Sequence, residues 1–132
     1  MNESGKRAPP TALTVHRHSR VLEVVFDEQV FSLPFEFLRV YSPSAEVCGH
    51  GAGQAVLQTG KREVTLTALT PVGNYAVQPH FSDQHNTGIY TWDYLYWLGA
   101  NQSELWEDYL QRLEAAGFDR EKGRNPSGVQ PD

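Results

Sequence analysis

An α+β fold is predicted for this chain: an antiparallel sheet of about five or six strands, a short helix after the third strand, and two C-terminal helices packed on the sheet. Aliphatic and β-branched residues alternate with polar ones in short runs through the first half, and again between residues 64 and 90. Tight-turn sequences separate the first runs. After Tyr90 the apolar spacing changes to a helical period.

Ala12 to His18 alternates Leu13, Val15 and Arg17 against Thr14, His16 and His18, which reads as a strand, and Ser19-Arg20 turns the chain. Val21 to Phe26 is a second run, Asp27-Glu28 a tight turn and Gln29 to Leu33 a third run, together an antiparallel meander. Pro34 ends it and suits the first turn of a short helix, Phe35 to Val40, where its missing N–H costs nothing. A loop follows over residues 42–54, in which Gly49, Gly51 and Gly53 permit positive φ. Val64 to Leu69 and Tyr75 to Phe81 read as strands either side of Pro71-Val72-Gly73, with Pro79 at an edge or bulge. Ser82 to Asn86 is a polar turn, and Gly88-Ile89-Tyr90 resumes extended structure. Thr91 caps a helix from Trp92 to Leu98, with Asp93 in the first turn and Gly99 as the stop. Asn101 with Glu104 has the pattern of a capping box for a second helix. Along it Leu105, Trp106, Tyr109, Leu110 and Leu113 share one stripe before Gly117 closes it.

The 132 residues suit one domain. Residues 1–10 and 119–132 hold too few aliphatic side chains to offset ordering and are predicted to be disordered tails around a domain at 11–118. A net charge of −5 argues against nucleic acid, whose phosphates need clustered Lys and Arg. No apolar run approaches the roughly 18 residues of a membrane span. MNESGKRAPP lacks the apolar core of a secretory signal, so a cytoplasmic location is expected. The single cysteine, Cys48, excludes an internal disulfide.

Five histidines are present, at 16, 18, 50, 80 and 85. Cys48 and His50 offer a thiolate and an imidazole to one ion, and Asp83 and His85 could join them if the glycine-rich loop folds beside the polar turn. The competing reading makes His50 and His85 loop residues that hydrogen-bond locally. Nothing matches a G-x-S-x-G elbow, a P-loop or a dinucleotide-binding glycine motif. The H-x-D/E opening of a non-haem iron triad is absent too, because the residues two after each His are His18, Arg20, Ala52, Ser82 and Thr87. The aromatic block Tyr90, Trp92, Tyr94, Tyr96 and Trp97 is too dense to face inward throughout, so part of it is expected at a protein-binding surface.

LPFEFLRVYSPSAEV, the GHG at 49–51, PVGNYAVQPHF and HNTGIYTWDYL together resemble the gamma-butyrobetaine hydroxylase-like N-terminal domain family, over nearly all of residues 11–118. The resemblance implies a non-catalytic module. In eukaryotic carnitine-biosynthesis oxygenases the domain precedes the catalytic domain, helps form the dimer and carries zinc. Elsewhere it is fused to Mrp-type P-loop ATPases of iron–sulfur assembly. In those oxygenases the zinc motif is C-x-C-x-x-C after a Leu-Arg pair, with a distant His. Here the pair is Leu38-Arg39, the cysteine positions fall on Ser42, Ser44 and Val47, and only His85 has a counterpart. The thiolates are missing, and serine and valine are poor zinc ligands.

The leading expectation is therefore an adaptor, not an enzyme, possible homodimer included, that binds a protein such as an Mrp-type ATPase or an oxygenase-like enzyme of metal-cofactor metabolism. Its surface is expected at Gly49, His50, Gly51, Asp83, His85, Thr87, Tyr90 and Trp92. The alternative is a protein holding iron or zinc through Cys48, His50 and His85.

Overall fold

The computed structural model describes residues 7–48 and 56–118. Strands β1 (Ala12–His16), β2 (Val21–Phe26) and β3 (Gln29–Pro34) form an antiparallel meander. Phe26 pairs with Gln29 across a two-residue turn, in which Asp27 takes a φ of 48°. The first turn is longer than expected. His16 pairs with Val21, so Arg17 to Arg20 all lie in the connection and His18 leaves the strand. Alternation in β2 puts Leu22, Val24 and Phe26 in the core. Pro34 closes β3 in extended conformation and α1 (Phe35–Val40) starts directly behind it, with all six residues buried.

The segment expected to be a loop contains a single helical turn, α2 (Ala45–Cys48). A second antiparallel sheet has the order β4 (Leu66–Val72), β5 (Ala76–Phe81), β6 (Tyr90–Thr91). β4 runs through Pro71 and Val72 rather than stopping before them, and it bulges between Leu66 and Ala68. Helices α3 (Trp92–Ala100) and α4 (Gln102–Ala116) follow.

Two three-stranded sheets thus replace the single sheet of five or six strands, within the same α+β class. At their junction side chains stand where a continuous sheet needs backbone. From the β1–β2 turn, Arg17 Nη1 donates to the Leu66 carbonyl (2.5 Å), and Arg20 Nη1 to that of Arg62 (3.1 Å). Both sheets, α1 and α3 share one core that includes Leu22, Leu33, Phe37, Leu66, Val77, Tyr90, Leu95 and Leu98. α4 covers a smaller cluster of Val40, Tyr109 and Leu113.

Thr91 caps α3 by accepting the Tyr94 N–H, and Gly117 ends α4 at a φ of 77°. Gly99 is not a stop. It lies inside α3, where a Cβ would fall 2.6 Å from both Cδ atoms of Phe31, so it is the close approach of helix to strand that requires glycine there. The capping box does not form either, because the Asn101 amide reaches back to the Trp97 carbonyl (2.9 Å). Arg7, in the expected N-terminal tail, lies 3.6 Å over the Tyr96 ring and pairs with Asp93. The rest of that expectation, at 1–6 and 119–132, lies outside the described residues.

Candidate functional site

The segment joining α1 to α2 and the turn after β5 are drawn together by polar side chains. Ser42 Oγ accepts the Ser44 N–H (3.2 Å) and Ser44 Oγ accepts that of Glu46 (3.1 Å), which sets up the single turn of α2. In the turn after β5, the His85 carbonyl accepts the Phe81 N–H (3.0 Å) while Gln84 takes a φ of 74°. The two segments meet where His85 Nε2 lies 2.8 Å from Ser42 Oγ and Ser44 Oγ 2.6 Å from Thr87 Oγ1. His85 Nδ1 lies 3.0 Å from a Glu46 carboxylate oxygen.

Burial, followed by the nearby Arg39 charge, holds the His85 ring below its ordinary pKa of 6.5, against the opposing pull of Glu46 and Asp83. A neutral ring satisfies both contacts in one tautomer: Nδ1–H donates to Glu46, and Nε2 accepts the Ser42 hydroxyl. Ser42 and Ser44 are both buried. A Cβ on Gly88 would fall 2.5 Å from Ser42 Oγ, so the glycine packs directly on that hydroxyl.

A charged layer lies alongside. Buried Arg39 donates through Nε to Asp83 (3.0 Å) and through Nη1 to Gln58 (2.9 Å), and Lys61 reaches the same Asp83 oxygen (2.7 Å). Burial raises the Asp83 pKa, but the Lys61 hydrogen bond and the Arg39 charge outweigh it, so the carboxyl stays below its ordinary value.

The expected site residues separate sharply. His85, Tyr90 and Trp92 are buried and offer no surface to a partner. The Tyr90 hydroxyl donates to the Leu38 carbonyl (2.6 Å) and the Trp92 indole to that of Asn74 (2.9 Å). Asp83 and Thr87 reach solvent, as does Cys48, whose thiol lies 3.5 Å from the Ser42 carbonyl. Gly49, His50 and Gly51 lie outside the described residues. Of the proposed ligand set Cys48, His50 and His85, both ring nitrogens of His85 are engaged within the protein. Among the described residues no group of three or more His, Cys, Asp or Glu is placed to hold a metal ion.

Ser42, Ser44 and His85 do converge, but they do not fit zinc. Bond lengths of about 2.1 Å to oxygen and nitrogen separate tetrahedral ligands by about 3.4 Å. Ser42 and His85 stand at hydrogen-bond distance, 2.8 Å. Sequence reasoning missed Glu46 as the acid on His85 and Arg39 as an interior charge. The signal for Glu46 was its place two residues after Ser44, where a serine hydroxyl caps a turn.

A second feature adjoins the cluster at Ser42 and Cys48. Cys48, Val56, Tyr94 and Arg112 help line a cavity of about 110 Å³, and Trp97 stacks on Tyr94 with ring centroids 5.7 Å apart. Val56 is 53% exposed and Trp97 45%.

The fold and site define a small α+β domain, and among the described residues no helix is long and apolar enough to cross a bilayer. The chain belongs to the gamma-butyrobetaine hydroxylase-like, N-terminal family, whose model matches residues 13–96. It is similar to two proteins with NMR solution structures. One is 46% identical, with a TM-score of 0.77, covering 86% of this chain and 90% of its own. The other is 52% identical, with a TM-score of 0.76, covering 91% and 90%. A crystal structure from Acidithiobacillus ferrooxidans, of a protein of unknown function in the DUF971 family, is 41% identical with a TM-score of 0.57, covering 75% of this chain and 99% of its own. No curated protein matches the chain.

Proposed function

We propose that this chain is a non-catalytic accessory domain that binds a protein partner through the face formed by Val56, Tyr94 and Trp97 beside Cys48. The observation that carries the reading is the contrast between the two features. Ser42, which also lines the cavity, is only 1% exposed, whereas Val56 and Trp97 stand outward. Exposed aromatic residues grouped around a small cavity are the usual anchors of protein interfaces. Asp83 and Thr87, also at the surface, extend the same reading toward the turn after β5. The family supplies the partner class, an Mrp-type ATPase or an oxygenase-like enzyme.

A photo-cross-linking residue at position 97 tests this, with one at exposed position 114 as control. Capture of such an enzyme from position 97 alone, lost on Val56→Asp, is the expected result. Equal labelling from both positions, or none from 97, would refute the surface.

A further inference from the structure

Three stretches far apart in sequence, residues 39–48, residues 58–61 and residues 83–87, are tied by one set of polar contacts that runs from the buried Ser42–His85 pair to the exposed Lys61–Asp83 pair. We propose that this network is a metal-independent clasp, standing at positions where oxygenase relatives hold zinc and joining the α1–α2 segment to the β5–β6 loop without any ion.

The donors and acceptors close on themselves. Glu46 accepts a hydrogen bond from His85 Nδ1–H, His85 Nε2 accepts one from the Ser42 hydroxyl, and Ser42 Oγ accepts the Ser44 N–H. Ser44 Oγ accepts from Glu46 N and bonds Thr87 Oγ1. Among the described residues, the Ser42, Ser44 and His85 atoms a metal would need as ligands are already bonded. Space argues the same way. An ion between Ser42 and His85 would have to open their 2.8 Å contact by about 0.6 Å, with Gly88 packed against the serine oxygen.

Cys48 does not restore the missing thiolate. One helical residue turns the side chain by about 100°, so Val47 points into the core while Cys48 is exposed. The third ligand position therefore carries a side chain that cannot coordinate.

The test has two arms. In the first, the full chain is purified without an affinity tag, its metal content is measured, and it is melted with and without a strong chelator. The clasp predicts far less than one equivalent of iron or zinc and an unchanged Tm. One equivalent of metal whose removal lowers Tm, or which is lost in Cys48→Ser, overturns it. In the second, Ser42→Cys, Ser44→Cys and Val47→Cys are combined and titrated with Co²⁺. The clasp predicts a thiolate-to-cobalt charge-transfer band, lost when His85→Ala is added, and a Tm that becomes chelator-sensitive. A triple variant that folds, judged by circular dichroism, yet gives no band with Co²⁺ overturns the positional equivalence. If the triple variant does not fold, the first arm still decides whether the natural chain depends on a metal.

Discussion

Ser42→Ala is the sharpest probe of the cluster, because one atom serves two neighbours. The hydroxyl donates to His85 Nε2 at 2.8 Å and accepts the Ser44 N–H at 3.2 Å. Removing it leaves a buried acceptor and a buried donor unpaired, each costing about 1–3 kcal/mol. The void is only an oxygen atom in size, and Gly88 can settle toward it, so the cavity contribution is small. The expected total is about 2–6 kcal/mol. Read by urea unfolding with a slope of about 2 kcal/mol/M, that is a midpoint lower by about 1–3 M at constant slope. Adding His85→Gln tests the link directly, since contacting residues in one network are coupled by about 0.5–3 kcal/mol. A loss below about 0.5 kcal/mol for Ser42→Ala, or strict additivity with His85→Gln, would refute the hydrogen-bond assignment.

Gly99→Ala sets helix propensity, worth about 1 kcal/mol in favour of alanine, against a Cβ that lands 2.6 Å from ring carbons of Phe31. Overpacking costs about 1–3 kcal/mol, so net destabilisation is expected by calorimetry and relief when Phe31→Leu is added; a rise in Tm for the single variant would contradict the close approach. Stability should fall with pH in two steps. His85 is depressed below 6.5, so the unfolded chain binds its proton first. Its contribution is whole above about pH 6.5, declines as pH drops toward the folded pKa, and loses no more below that value. Asp83, depressed below 3.8, contributes above that value and is lost as pH falls through its lower folded pKa. Urea midpoints measured across this range for the natural chain and His85→Gln check the first step, which should be absent in the variant. Trp106→Ala should cost about 2–3 kcal/mol, less than a fully buried tryptophan, because the half-buried ring packs on Tyr109 (5.1 Å) and Phe37 (6.3 Å); a midpoint change under about 0.5 kcal/mol would place it in solvent.

Much of the secondary structure was legible because it rests on local chemistry. The Thr91 cap, the Gly117 stop and the β2–β3 turn depend on residues within a few positions of one another. The errors have tertiary causes. Where the two sheets meet, Arg17 and Arg20 reach carbonyls 49 and 42 residues away, and no period in the sequence encodes that division into two sheets. Gly99 has the composition of a stop, and only the Phe31 ring makes it a contact position. Asn101 ends α3 and begins α4 at once. With φ −117° and ψ 22°, outside the extended region typical of a capping residue, its side chain serves the first helix. At the site, His85 stands out in the sequence, but its burial and its partner Glu46 follow from the packing of two distant segments.

The order Glu46–His85–Ser42 is that of an acid, an imidazole and a hydroxyl in a hydrolytic relay, so the cluster invites a catalytic reading. Its burial runs the wrong way. A working relay shields the acid and presents the hydroxyl to substrate, whereas here the Glu46 side chain is 63% exposed and Ser42 only 1%. The nearest backbone donor that could steady an oxyanion, the Ser44 N–H, is spent on Ser42 itself. Gly88 packs against the oxygen on one side. Reactivity at this end of the molecule should accordingly belong to the thiol outside the cluster. Iodoacetamide should alkylate Cys48 in the folded protein, while a fluorophosphonate probe should leave Ser42 unmodified, both read by mass spectrometry of the digested chain. Stoichiometric phosphonylation of Ser42, abolished by His85→Gln, would show that substrate reaches the hydroxyl and would overturn the non-catalytic assignment.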